Sequence, residues 1–292
     1  MSAIVTLPIE HWAQPSSETL RDTAARALEA GQVLYLPALS FALTPAERPL
    51  LRPSCLDPRR KNISFESSSG AVKGARTAAA EIPLLQALLR RFQRQALTLV
   101  QDLLPAYTPH LRLARTSYRP AAVSQRRQSP RKDDRLLHVD AFPSRPNHGE
   151  RILRVFSNVN PEGLARTWHV GEPFEDCARA FLPRLPAPRP AWARLLRAAG
   201  ITRGLRSAYD HYMLTLHDTM KQDRHYQESA PRETVAFAAG STWIVFSDQT
   251  LHAALSGQYL LEQTLHLPVR ALLRPEHAPL AVLERLTGRV LV

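Results

Sequence analysis

The chain has 292 residues, 44% of them hydrophobic and 22% charged, a balance that excludes disordered, collagen-like and repeat-dominated classes. No run approaches the roughly 18 to 20 apolar residues of a membrane span, and the opening MSAIVTLPIEHW lacks the basic-then-apolar layout of a signal peptide, so a cytoplasmic protein is expected. Thirty-eight basic against 26 acidic residues leave +12, carried by 34 arginines and four lysines, which leaves nucleic acid, an anionic membrane face and an acidic small molecule as partner classes. Cys55 and Cys177 form no CxxC pair, so neither a disulfide framework nor a cysteine-ligated zinc is expected.

After a short strand-like start, Leu20, Ala24 and Leu28 recur at helical spacing from Ser16 and stop at Gly31. Val33 to Leu39 reads as a strand and Thr44 to Thr77, rich in proline and serine, as loop. Leu85, Leu88, Leu89, Phe92 and Leu99 predict a long amphipathic helix from Ile82, ended by Pro105. LRLARTSY (from Leu111), RLLHVDAF (from Arg135) and RILRVFSNVN (from Arg151) then read as strands. Next comes an insertion, Glu162 to Gln227, with a proline-rich stretch and a helix presenting Leu205, Tyr209, Tyr212, Leu216 and Met220. TVAFAAGSTWIVFSD predicts a hairpin over Ala238 to Ser241, and LHAALSGQYLLEQTLHLPV a second one at Ser256-Gly257. The expected fold is α+β: a jelly-roll, cupin-like barrel with flanking helices. Residues 1–110 are expected to be a mixed region whose helices pack on the barrel, and 111–292 the catalytic core with a helical insertion at about 162–227.

His138 and Asp140 in RLLHVDAF stand two apart, which on a strand puts imidazole and carboxylate on one face. His252, 112 residues past Asp140, is the expected third donor. Two histidines and one carboxylate with open positions suit non-haem Fe(II) and O2 chemistry; a zinc site with a bound water stays open. His211 and His217, six apart on a helix, read as surface residues, and His266 as a lining or hydrogen-bonded barrel residue. Fe(II) with one carboxylate and two neutral imidazoles keeps a net positive charge and favours chelation by a 2-oxo acid, whose distal carboxylate needs a buried base. Arg154 is the candidate and Arg151 the alternative, with Asn158 and Thr264 as further cosubstrate-binding positions.

The run KDDRLLHVDAFPSRPNHGERILRVFSNVNP (Lys132 to Pro161), the segment from Trp168 to Asp176 and FSDQTLHAALSGQYLLEQTLHLPV (Phe246 to Val269) resemble the Kdo hydroxylases, over roughly Arg115 to Arg270. The resemblance implies a double-stranded β-helix in which His138, Asp140 and His252 hold Fe(II). It further implies 2-oxoglutarate and O2 as cosubstrates, ascorbate as reductant, and hydroxylation at C3 of a 3-deoxy-D-manno-octulosonic acid (Kdo) on lipid A to give Ko. The base that many such barrels carry ten or eleven residues past the distal histidine is replaced here by Glu262 and Gln263, which shifts that role to Arg154. Arg119, Arg127, Lys132 and Arg145 are the expected substrate-binding residues. The basic loops fit Kdo-lipid A and peripheral attachment to the anionic inner face of the inner membrane. The same triad would also serve a hydroxylase of another small molecule or protein. Charge alone would fit a non-catalytic metal- or nucleic-acid-binding barrel, but no nucleic-acid motif is found and no nucleic acid is expected.

Overall fold

The computed structural model describes residues 2–125 and 129–292. Strand β1 (Ile4–Thr6) leads to α1 (Glu18–Glu29), capped by Ser17 Oγ, which accepts the Leu20 N–H at 3.2 Å. β2 (Val33–Leu36) follows, and two short strands, β3 (Ile63–Phe65) and β4 (Val72–Lys73), lie inside the stretch whose prolines read as loop. The long helix is α2 (Ile82–Leu103), with Pro83 in its first turn and the expected leucine and phenylalanine stripe buried. β5 (Arg112–Arg119) and β6 (Arg151–Asn158) come next. The insertion opens with a strand, β7 (Arg166–Gly171), before its helices α3 (Phe174–Phe181), α4 (Pro190–Ala198), α5 (Ala208–Gln222) and α6 (Arg224–Ser229). β8 (Arg232–Phe237), β9 (Thr242–Phe246), β10 (His252–Ala254), β11 (Leu260–Leu267) and α7 (Pro279–Thr287) complete the chain.

The strands form an eight-stranded sheet in the order β1-β2-β9-β6-β11-β5-β3-β4, antiparallel except for β1 beside β2, and a three-stranded sheet β10-β7-β8. The two face each other across an aromatic core. Phe237 stacks on Trp243 at 4.2 Å between centroids, and Trp168 meets Phe156 edge-on at 5.3 Å. Helices α1 and α2 cover the other face of the large sheet against Leu34, Leu153, Val155, Ile244 and Leu265, while α3, α5 and α7 close a third side. This is the jelly-roll architecture with flanking helices that the strand pattern predicts.

The strand partners differ from expectation in an informative way. β8 lies in the small sheet and β9 in the large one, and the same holds for β10 and β11. The Ala238–Ser241 and Ser256–Gly257 turns are therefore corners between sheets and not hairpins; a turn signal specifies reversal of the chain, not its partner. At the second corner Gly257 adopts φ +116°, and a Cβ there would sit 2.7 Å from Arg166 Cγ, so glycine lets the corner close over that side chain. RLLHVDAF is likewise not a strand: it runs as loop, with His138 in a single antiparallel bridge to His252.

Arg151 points to the helix-covered face of β6, three positions from Arg154 and on the opposite side. Fully buried, it donates from Nε to Asp248 Oδ2 at 2.7 Å and from Nη2 to Gln249 Oε1 at 2.6 Å, with its guanidinium 3.9 Å over the Phe246 ring. Asp248 also accepts the Ile152 N–H at 3.0 Å. Asp248→Ala should cost about 3–5 kcal/mol in denaturant unfolding, because it strands a buried cation, whereas pairing it with Arg151→Met should recover most of that loss. A single-variant cost near that of a surface substitution would refute the structural role.

Candidate metal centre

Two peptide hydrogen bonds assemble the centre: His138 N donates to His252 O at 3.1 Å and His252 N to His138 O at 2.9 Å. Asp140 N donates to Ser247 O at 2.8 Å, which fixes the carboxylate arm against the loop after β9. His138, Asp140 and His252 each offer one ligand atom, and these atoms lie within 4.8 Å of one another. Both imidazoles are oriented alike. Nδ1 of His138 lies 2.7 Å from Leu136 O and Nδ1 of His252 lies 2.8 Å from Thr250 O, so each donates Nδ1–H to a carbonyl and turns Nε2, as a lone pair, to the common point. Trp168 stacks on the His252 ring at 5.1 Å.

The donors fit a divalent ion in their protonation as well. Burial pushes the pKa of both histidines below the ordinary imidazole value, which keeps them neutral. Burial alone would raise the Asp140 pKa, but the positive charge of Arg154 outweighs it and holds the carboxyl well below the usual range. Its Oδ2 lies 2.9 Å from Arg154 Nη2 as an ion pair yet receives no hydrogen bond from a described residue, which leaves a buried anionic oxygen with coordinating capacity. Two neutral imidazoles and a carboxylate on one side of a hollow are the donor set suited to non-haem Fe(II).

From Asp140 a row of alternating charges runs across the barrel. Arg154 donates from Nη1 to Glu262 Oε1 at 2.7 Å, and Glu262 Oε2 accepts from Arg119 Nη2 at 2.7 Å. Arg119 Nη1 lies 3.6 Å from Asp134, which pairs with Lys61 at 2.9 Å. Glu262 thus holds two arginines, one from β6 and one from β5. Burial would raise its pKa, but those arginines keep it ionised. The hollow at the triad is about 50 Å³ and is walled by Arg119, Arg154, Arg166 and Trp168. Through Arg119 and Arg154 it adjoins a cavity of about 560 Å³ lined by Arg115, Arg145, Thr264 and His266.

The other expected residues divide. Arg154 and Arg119 reach the metal hollow, and Arg145 and Thr264 line the adjoining cavity. Arg151 does not, for the packing reason given above. Asn158 does not either: its Nδ2 donates to Leu164 O and Phe237 O, and its Oδ1 accepts the Asn160 N–H, so it closes a strand end. The Lys132 side chain is exposed on the surface, and Arg127 lies outside the described residues. His217 is a correction: it packs edge-on against His138 at 5.5 Å, because α5 turns this side chain toward the centre, whereas His211 stays at the surface against Pro186 O. Arg166, which walls the hollow, and Lys221, a buried cation whose charge, after burial and His252, helps keep His138 neutral, were also missed. Arg166 lies in a strand concealed within the insertion, and Lys221 follows His217 by one helical turn, a spacing that could have signalled a shared face.

Alanine at His138, Asp140 or His252 should lower Co(II) affinity by about a hundredfold or more in a spectroscopic titration, with the fold retained by circular dichroism. Unchanged affinity would dissolve the site. The pH dependence has a definite sign. The unfolded chain protonates its histidines below about pH 6.5, while the folded chain keeps His138 and His252 neutral to lower pH; Asp140 and Glu262 lose their stabilising ionised form only as pH falls further. The melting temperature of the metal-free protein should therefore fall from about pH 7 to about pH 5, and a double His138→Asn, His252→Asn variant should flatten that slope.

The family model for 3-deoxy-D-manno-oct-2-ulosonic acid (Kdo) hydroxylase matches residues 11–290. No curated protein matches the chain. Among solved structures, the Kdo hydroxylase KdoO with alphaketoglutarate and Fe(III) is 46% identical with a TM-score of 0.96, covering 99% of this chain and 97% of that one. Its cobalt(II) complex, at 46% identity and TM-score 0.97, covers 100% and 98%, and its apo form, at 47% and 0.96, covers 99% and 97%. A family model spanning nearly the whole sequence and relatives aligned from end to end show the family: the chain belongs to the Kdo hydroxylases, Fe(II)- and 2-oxoglutarate-dependent dioxygenases.

Proposed function

We propose that the enzyme hydroxylates C3 of a Kdo sugar carried on lipid A, converting it to Ko, with ascorbate as the reductant that keeps the iron ferrous. The observation that carries this reading is the joining of a metal hollow to a larger arginine-lined cavity through two shared arginines, Arg119 and Arg154. Bound Fe(II), 2-oxoglutarate and O2 would supply the oxidising chemistry, and the protein supplies position and exclusion of water.

His138, Asp140 and His252 would hold the ion on one side and leave the opposite side open to the hollow. Arg154, from β6, would meet the 2-oxoglutarate carboxylate together with Arg119 and Arg166, all three walling the same small space. Trp168, in the same wall, adds a buried Nε1–H with no hydrogen-bond partner among the described residues, a donor suited to an anionic guest. Thr264 lines the adjoining cavity and touches Glu262 Oε1 at 3.4 Å, and it keeps the arginine anchor in place more than it binds a ligand.

The sugar and its acidic groups fit the larger cavity. Arg145 is half-buried and makes no hydrogen bond or ion pair with a described residue. Burial, and then the charges of Arg115 and Arg203, push its pKa down, a mutual repulsion that an incoming carboxylate or phosphate relieves. Arg119 reaches the same space, and Arg127 and Lys132 belong to the basic stretch of sequence at residues 119–132 that we assign to the lipid A headgroup and the anionic inner face of the membrane. No helix among the described residues is long and apolar enough to cross a membrane.

Incubation with Fe(II), ascorbate, 2-oxoglutarate and Kdo-lipid A should add one oxygen atom to the sugar by mass spectrometry, and His138→Ala should abolish the gain. Consumption of 2-oxoglutarate with no oxidised sugar would overturn the substrate assignment and leave the enzyme class standing. Arg145→Ala should raise KM for Kdo-lipid A roughly tenfold or more while KM for 2-oxoglutarate stays put. Arg166→Ala should do the reverse.

A further inference from the structure

Helix α4 departs from the pattern of α1, α2, α3, α5 and α7: it is amphipathic, yet none of its residues is buried. At about 100° per residue, Trp192, Leu195, Leu196 and Ala199 fall on one side and Arg194 and Arg197 on the other. Trp192 and Leu195 are each 55% exposed, and Ile201 and Leu205 just beyond are 59% and 48% exposed. Helices of soluble proteins turn such a side toward the core. Here α1, α2, α3, α5 and α7 do so, whereas α4 leaves more than half of Trp192 and of Leu195 exposed, Trp192 edging a shallow groove with Leu205 and His211.

Charge selects the medium that would cover this face. Residues 182–206 contain six arginines and no aspartate or glutamate, and among the described residues only Arg184 takes part in an ion pair, with Asp223 at 2.7 Å. A second copy of the same segment would bring arginine against arginine. An anionic lipid surface meets both requirements, apolar depth for Trp192 and Leu195 and phosphates for the arginines. The segment is also well placed. Arg203 N donates to Ser144 O at 3.0 Å and Arg206 Nη2 to Pro143 O at 2.7 Å, and those two residues line the arginine-rich cavity beside the metal hollow.

We propose that α4 and the turn to Leu205 are a membrane-docking element in addition to the basic stretch at 119–132, lying in the headgroup region of an anionic bilayer beside the mouth of the active site. A sugar on a lipid then enters the cavity laterally, without leaving the bilayer. This deepens the reading of a lipid-borne substrate, but the surface itself is defined without reference to Kdo.

The test is flotation of the full-length protein with phosphatidylethanolamine–phosphatidylglycerol vesicles that contain no Kdo, against phosphatidylcholine vesicles. Binding to the anionic vesicles should weaken with salt and fall at least about tenfold in a Trp192→Glu, Leu195→Glu variant of unchanged melting temperature. Trp192→Phe should keep binding while abolishing the blue shift of tryptophan emission that vesicles induce. The glutamate variant should retain turnover of a water-soluble Kdo disaccharide and lose turnover of vesicle-embedded Kdo-lipid A. No binding by the wild type, undiminished binding by the glutamate variant, or a wild-type dimer that the variant dissociates would each overturn the proposal. Failure on the soluble disaccharide as well, by the wild type, would instead indict the substrate reading.

Discussion

The centre depends on a two-bond peptide bridge between His138 and His252, residues far apart in sequence that exchange both N–H groups across the open side of the barrel. Neither histidine is deep in a long strand: one sits in a loop, the other at the first position of a three-residue strand. The bridge sets the spacing of the imidazoles, and the carbonyls of Leu136 and Thr250, each two residues before its histidine, set their rotation. Backbone geometry thus does for the ligands what side-chain partners do in many metal sites.

Charge placement forms the second layer of the design. Three carboxylates and three cations alternate from Asp140 to Lys61, so that each buried group has an opposite neighbour and the cost of desolvation is met locally. Glu262 is the pivot. By engaging Arg119 and Arg154 together it holds both guanidiniums at the wall between the two cavities, where an anionic cosubstrate would compete for them. Arg151, on the same strand as Arg154, shows how different the fate of a neighbouring arginine can be: its partner is Asp248 and its surroundings are Phe246 and the helix layer.

That His138, Asp140 and His252 come together was legible from their residue types and context, although HxD alone is a weak signal and its expected strand is a loop, with the backbone bridge to His252 aligning the donors instead. The long helix α2 and strands β5, β6, β9 and β11 were legible through periodicity. What failed was pairing. Ala238–Ser241 and Ser256–Gly257 carry good turn residues, but the choice between hairpin and sheet-crossing corner is made by packing of Trp168, Phe237 and Trp243 across the core, which local pattern does not encode. The same limit hid His217, whose helix reads as amphipathic whichever side faces the centre, and Arg166, in a strand masked by the helices after it. Asn158 carried the right alternation for the pocket face and was diverted by carbonyls at the strand end.

The bridge also bears on how the enzyme tolerates the loss of its ion. In small zinc modules the ligands meet only because the metal gathers them, and chelation unfolds the chain. Here paired strands, two sheets and an aromatic interior gather them first. The barrel's own packing thus brings the three donors together, so an ion would add stability to a fold already formed and would not be what assembles it.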